Sequence, residues 1–247
     1  MTISIITVTF NSEKTIRDTL ESITNQTYKN IEHIIIDGKS NDTTLNIINN
    51  YNHNVIVISE PDKGIYDAMN KGIKIATGEI IGILNSDDLY FDNEIISKIA
   101  YNFSSDSEID ILYGNLLYVK ENDISKIVRK WISCSYYRKY FENGNVPPHP
   151  TLFLRKKVYK ETGLFNLKFH LAADYEFMLR IFKKNSFKSK YLNEFFVKMR
   201  LGGATNKNLK NVYLGNVQIL NAWKENNLSI PFLLFPKRFF KRVLQFL

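Results

Sequence analysis

Glu79-Ile-Ile-Gly-Ile-Leu-Asn-Ser-Asp-Asp-Leu-Tyr90 reads as a buried apolar strand, Ile80 to Leu84, that runs into two adjacent carboxylates, Asp87 and Asp88. In an open α/β sheet, ligands bind beyond the carboxyl ends of the strands, so an acid-tipped strand puts both groups where a ligand sits. Two neighbouring carboxylates call for a cation. A hard divalent ion, Mg²⁺ or Mn²⁺, takes carboxylate oxygens and keeps positions free for phosphate, so the pair points to a metal-bridged nucleotide. Asn, Ser and Asp also start helices, and the run Asn93 to Phe103 that follows has a helical pattern, so a plain capping turn accounts for the same letters.

Upstream of this stretch, strand and helix patterns alternate with short connections, the signature of a mostly parallel sheet flanked by helices. Ile3 to Phe10 is strand one, and Asn11-Ser12 is placed to cap a helix with Ile16, Leu20 and Ile23 on one face. Ile31 to Ile36 is strand two, followed by a helix with Leu45, Ile48 and Tyr51 inward; Val55 to Ile58 is strand three. A helix from about Ile65 carries Met69, Ile73 and Ala76 on one side and closes at Thr77-Gly78 before the acid-tipped strand.

Downstream the pattern changes. Ile109 to Val119 and Ile124 to Ile132 read as strands or a hairpin, and Pro147-Pro148-His149-Pro150 as an extended segment. Asp174 to Lys184 is a helix with Tyr175, Met178 and Phe182 on one side; Phe187 to Leu192 and Phe195 to Leu201 are two short strands; Gly202-Gly203-Ala204-Thr205 breaks the pattern. A helix over roughly Leu209 to Asn226 leads into an apolar, basic tail. The expected organisation is 1–105 as the regular first half of one domain, 106–205 as its less regular second half, and 206–247 as a helix and tail.

The bulk numbers narrow the class. The 247 residues, 44% hydrophobic and 23% charged, suit one large soluble domain, and the formal net charge of +8 implies an anionic partner. The single cysteine, Cys134, excludes an internal disulfide and a multi-cysteine metal site, fits a reducing compartment, and is expected as a small buried side chain. The start of the chain reads as a strand rather than a secretory signal, and no apolar run approaches the ~20 residues of a membrane span. A nucleic-acid-binding role, which the charge alone would suggest, fits poorly: basic residues are spread along the chain while acids cluster at strand ends.

Four polar clusters close successive strands: Thr9 to Asn11, Asp37 to Asp42, Glu60 to Asp67, and Asn85 to Asp88. In one α/β sheet all four line the same crevice. Together, Thr7-Val-Thr-Phe-Asn11, Ser22-Ile-Thr-Asn-Gln-Thr-Tyr28, Ile36-Asp-Gly-Lys-Ser-Asn-Asp42, Ser59-Glu-Pro-Asp-Lys-Gly-Ile-Tyr-Asp-Ala-Met-Asn-Lys-Gly72 and Asn85-Ser-Asp-Asp88 resemble, in order and spacing, the nucleotide-sugar domain of family 2 glycosyltransferases with the GT-A fold. The likeness is to bacterial polysaccharide-assembly enzymes of the colanic acid type and covers roughly residues 1 to 200.

The resemblance implies roles. Thr9 and Asn11 fall where relatives hold the base, and Asp37 in the turn that reads a uracil or ribose, with Gly38 where many relatives have a second acid. Glu60, Asp67, Asn70 and Lys71 match the segment beside the donor's ribose and sugar. Asp87 and Asp88 match the family's Asp-x-Asp position, Asp88 as metal ligand and Asp87 for ribose or metal, with Mn²⁺ or Mg²⁺ as cofactor. Leu171-Ala-Ala-Asp-Tyr-Glu-Phe-Met-Leu-Arg180 is similar to the second acidic motif, which makes Asp174 the catalytic base and Glu176 the alternative; a helix cap is the structural role for Asp174. His149 falls where relatives place a histidine beside donor or acceptor, and Arg200-Leu-Gly-Gly-Ala-Thr205 looks like a loop that closes over the diphosphate.

The implied activity is inverting transfer from a nucleoside-diphosphate sugar, with UDP as the expected carrier, to a saccharide or lipid-linked saccharide; a catalytically silent sugar-binding relative is the alternative. The run Trp131, Tyr136, Tyr137, Tyr140 and Phe141 reads first as core. Over residues 232–247, Phe239, Phe240, Val243, Leu244 and Leu247 share one helical face and Arg238, Lys241, Arg242 and Gln245 the other. That is the pattern of an interfacial helix on an acidic membrane, each basic residue contributing ~1 kcal/mol, or of a helix packed on protein. The expected location is cytoplasmic, peripheral to the inner face of the cell membrane.

Overall fold

Ile3–Thr9 (β1) is buried along its whole length, which is what a strand of Ile, Val and Thr becomes when helices cover both faces of the sheet. It pairs in parallel with Ile31–Asp37 (β2) on one side and Ile80–Ile83 (β4) on the other, and β2 pairs in parallel with Val55–Ser59 (β3). The protein is described here from a computed structural model, which covers residues 1–51, 55–202 and 209–246. The parallel set is the expected half-sheet, with helices Ile16–Thr24 (α1), Thr44–Asn49 (α2) and Ile65–Ile75 (α3) between the strands. Gly72 on α3 lets that helix lie close on the sheet: a β-carbon there would stand 2.4 Å from the Ile6 side chain.

Two local expectations change. Helix α1 starts at Ile16 with Thr15 at the cap position, and the Ser12 carbonyl accepts the Thr15 and Ile16 amides, so Asn11 and Ser12 belong to the turn before the helix rather than to its cap. The segment after the acids is a further strand, Asp88–Tyr90 (β5), before the helix Ile95–Ser105 (α4). Three residues are too few for periodicity to register, and only pairing with a distant strand makes them one.

The second half extends the same sheet with mixed pairing. Ile109–Lys120 (β6) and Asp123–Trp131 (β7) form the expected hairpin; Phe153–Arg155 (β8) inserts antiparallel between β4 and β6; and Lys188–Arg200 (β9) runs parallel to β6 and antiparallel to β5. The order is β3-β2-β1-β4-β8-β6-β9-β5, with β7 on β6. The two short strands expected over 187–201 are one strand: opposite Gly114, the register jumps from Tyr191 to Phe195, so Asn193-Glu194 is a bulge and not a turn. Lys156–Thr162 (α5) has no counterpart in the sequence reading, and His149–Thr151 is a short 3-10 turn rather than extended chain.

Ala173–Lys183 (α6) buries Tyr175, Met178 and Phe182 as its spacing requires and packs on Leu209–Glu225 (α7), whose Trp223 donates to the Tyr175 hydroxyl at 3.0 Å. Tyr140 and Phe141 are core, whereas Tyr137 is exposed and Cys134 stands exposed on a loop instead of buried. The tail forms a helix, Leu234–Val243 (α8), with Pro236 in its first turn, where a missing amide hydrogen is harmless. Among the described residues no helix is long and apolar enough to cross a membrane. The Gly203-Ala204-Thr205 part of the expected closing loop, and Leu247, lie outside the described residues.

Candidate active site

The four polar strand ends do meet. Thr9, Asn11, Asn41, Asp42, Asp62 and Asp87 line one cleft of about 1820 Å³, and α6 brings Asp174 to it from the other half of the chain. At the end of β1, Asn11 takes a left-handed conformation (φ 51°) that asparagine tolerates; its Oδ1 accepts from the Asn41 amide at 2.9 Å and its own amide donates to Ser40 Oγ at 2.8 Å. Ser12 and Ser86 face each other, hydroxyl to hydroxyl, at 2.8 Å, joining the ends of β1 and β4. Thr9 Oγ1 is sealed from solvent with no partner in the protein.

The two acids of Asn-Ser-Asp-Asp separate. Asp87 lines the cleft, while Asp88 is fully buried on β5 beneath it. Asp88 Oδ2 receives one long hydrogen bond, 3.3 Å from Asn85 Nδ2, and its Oδ1 has no partner. Burial, with Asp87 beside it, pushes the Asp88 carboxyl well above the usual carboxylate range. Burial also raises Asp87, with Glu121 adding to the rise and Arg200 and His149 opposing it. Among the described residues no group of three or more His, Cys, Asp or Glu side chains forms a complete metal cage. A cleft-lining acid beside a buried one with an orphaned oxygen fits a divalent ion that completes its shell with phosphate and water.

Asp174 sits in the first turn of α6. Tyr66 donates its hydroxyl to Asp174 Oδ1 at 2.9 Å, and His149 Nδ1 lies 3.4 Å from Oδ2. Burial, then the Asp174 charge, drives the Tyr66 phenol well above its ordinary range, so it remains a donor. The carboxylate is therefore held at both oxygens yet stays about a quarter exposed, at 23%, facing the cleft. The alternative base, Glu176, is buried on the other side, paired with Arg180 at 2.8 Å and bonded by Asn226 at 3.1 Å.

Other expected ligands are placed differently. Asp37 is fully buried and accepts from the Ser40 amide at 3.0 Å, Ser40 Oγ at 2.5 Å and Ser59 Oγ at 2.6 Å, so its carboxylate closes its own turn. Asn70 uses both ends of its amide on the backbone of Phe165, at 2.9 Å each, and is a structural tie between α3 and a distant loop. Lys71 is the hub of an ion network with Glu60 (2.9 Å), Asp62 (2.6 Å) and Asp67 (3.8 Å); of these four, Asp62 alone lines the cleft. Arg200 also lines the cleft and points its guanidinium at Asp18, the Asp87 carbonyl (2.8 Å) and the Glu121 carbonyl (3.1 Å), bracing the acid-bearing turn.

Sequence reasoning passed over Tyr66, which lies inside a quoted motif, and Glu121, Arg129, Arg238 and Arg242, which line the cleft from the second half. The tail accounts for the last two. Helix α8 is docked on the domain by buried Leu234; Arg238, Phe239 and Arg242 line the cleft, and Phe239, Phe240, Lys241 and Arg242 are exposed, so aromatic and basic side chains both reach the surface.

The fold is of the GT-A glycosyltransferase type. The family model for glycosyl transferase family 2 matches residues 4–189, and the chain belongs to that family. A PGL/p-HBAD biosynthesis glycosyltransferase of Mycobacterium tuberculosis is 27% identical over 201 residues, covering 77% of this chain and 73% of that protein. An uncharacterized glycosyltransferase of the same species is 32% identical over 72% of this chain and 68% of its own. Among solved structures, S. aureus TarS 1-349 in complex with UDP-GlcNAc matches 98% of this chain and 79% of that one (TM-score 0.65, 18% identity). The mannosyltransferase PcManGT from Pyrobaculum calidifontis, in complex with GDP-Man and Mn²⁺, matches 97% and 68% (TM-score 0.62, 15% identity). At these identities the structures establish the fold; the chain spans 40% of the longer S. aureus TarS structure.

Proposed function

We propose that the protein is an inverting glycosyltransferase that moves a sugar from a nucleoside-diphosphate donor, UDP-linked, to a saccharide hydroxyl. The observation that carries this reading is Asp174, oriented by Tyr66 and His149, across the same cleft as Asp87. Asp174 takes the acceptor proton, the freed oxygen attacks the anomeric carbon from the face opposite the diphosphate, and the sugar–phosphate bond breaks as the diphosphate leaves. Thr9 and Asn11 border the base end, and Asp87 the phosphate end. Asp87 and Asp88 would hold a divalent cation, which would supply charge neutralisation at the diphosphate. The 1–105 half holds the donor, and 106–205 supplies the base and the acceptor side.

The acceptor in this reading is a lipid-linked saccharide, with the protein peripheral to the inner face of the cell membrane. Outward Phe232, Phe239 and Phe240 are the side chains available to enter a bilayer. With Lys241 and Arg242 exposed beside them, vesicle binding should depend on these aromatics and weaken as salt is raised; a protein that stays in the supernatant with anionic vesicles removes this part. For the activity itself, release of nucleoside diphosphate from UDP-sugars with Mn²⁺ is measured with and without EDTA. Asp174→Asn should lower turnover by about 10²–10⁴ while leaving the donor Kd unchanged. Undiminished turnover in that variant, or no release from any donor, defeats the assignment.

A further inference from the structure

Three arginines converge on the cleft from the second half of the chain. Arg129 of β7, 7% exposed, lays its guanidinium 3.7 Å over the Tyr118 ring and 5.4 Å from the Phe246 ring, and its Nε is sealed without a partner. Arg238 of α8 lies 4.8 Å over the Tyr175 ring, beside Asp174 in sequence, and its Nη1 is sealed in the same way. Arg242, one turn further along α8, is close enough for its charge to reach both: burial first, then Arg242, lowers the Arg129 and Arg238 guanidinium groups. Three other arginines are satisfied: Arg155 donates to three carbonyls, Arg180 to Glu176 and two carbonyls, and Arg200 to Asp18 and two carbonyls.

The seat of α8 is built. Gly144 takes φ +78°, and a β-carbon there would stand 2.7 Å from the Lys237 carbonyl carbon, so the chain admits the helix by omitting a side chain. Lys237 Nζ donates to Asn143 Oδ1 at 2.9 Å beside it. A fold that docks a helix this closely, and in doing so brings like charges together with buried donors unfilled, makes sense when an anion supplies the missing acceptors. The planar guanidinium fork matches phosphate oxygens in pairs.

We propose that Arg129, Arg238 and Arg242 form a phosphate or diphosphate site in the cleft, built of residues separate from the Asp87–Asp88 pair. The group comes either from the donor's diphosphate or from a phosphate carried by the acceptor. Only the choice between these sources rests on the transferase reading; the anion site itself does not.

Inorganic pyrophosphate titrated calorimetrically into the full chain, without divalent metal, tests it. Wild type should bind, and Arg242→Gln, whose exposed side chain the fold does not need, should weaken binding at least tenfold; Arg238→Gln should do the same, and Arg242→Lys should recover part of the loss. UDP with Mn²⁺ titrated into the same variants identifies the source. A parallel loss of UDP binding assigns the donor's diphosphate, and unchanged UDP binding with lost pyrophosphate binding assigns an acceptor phosphate. Absent pyrophosphate binding in wild type, or equal binding in wild type and both glutamine variants, overturns the site. Neither result touches the transferase reading, which fails separately, by absence of nucleoside diphosphate release.

Discussion

Asp37, at the end of β2, and Asp88, just past the end of β4 at the start of β5, are both fully buried aspartates, and they are opposite in one respect. Asp37 receives three short hydrogen bonds from Ser40 and Ser59; Asp88 receives one long one and keeps an oxygen with none. A buried acid with its acceptors filled is part of the architecture, and one with them unfilled is poised for a ligand. The same accounting separates Arg180 and Arg200 from Arg129 and Arg238, so it holds for cations as well as for anions.

The comparison is open to breaking. Of the two aspartates, Asp88 carries the larger expected effect, in Asp88→Asn. It should remove several kcal/mol of charge stabilisation, lowering turnover about 10²–10³-fold. Because it also removes an unsatisfied buried charge, the metal-free protein should melt at a higher temperature than wild type. A variant with normal turnover, or one that melts lower, refutes the contrast. Asp37→Ala should act in the reverse sense, leaving three donors unfilled and lowering stability by about 2–3 kcal/mol, read as a fall of about 5–10 °C in the thermal midpoint.

Gly144→Ala sharpens the view of the arginine side of the cleft. It forces a side chain into the left-handed region against the Lys237 backbone, at a cost of about 1–3 kcal/mol. Amide exchange should accelerate across residues 234–243 and not in β1 or β2; uniform protection would mean that α8 is not held there. The smallest effect is expected for Asn70→Ala, about 1–2 kcal/mol of stability from two lost hydrogen bonds to Phe165, with the donor Kd unmoved. A weakened donor with intact stability would return Asn70 to the donor site.

Legibility followed sequence separation. The β1-α1-β2-α2-β3-α3-β4 series could be read because each element carries its own period, apolar positions at 3.6 for α1 and α3 and unbroken apolar runs for the buried strands. The strand-end residues followed from that series, since parallel strands bring their carboxyl ends to one edge. The second half was less readable for the same reason. Strands β5 and β8 are three residues long and exist only through partners far away in the chain, and the bulge in β9 imitates a turn.

The sequence by itself determined the parallel half-sheet, the edge on which its polar residues collect, the acids Asp87, Asp88 and Asp174, and membership of the glycosyltransferase family through the order of its motifs. Only the tertiary structure decided which of those polar groups are already satisfied. Asp37 and Asn70 find full sets of partners within the protein, Asp88 keeps one oxygen without any, Tyr66 and His149 meet Asp174 across the fold, and the tail brings Arg238 and Arg242 to the cleft. The physical reason is that residue type fixes what a side chain can donate or accept, whereas whether that capacity is filled depends on neighbours that only folding brings together.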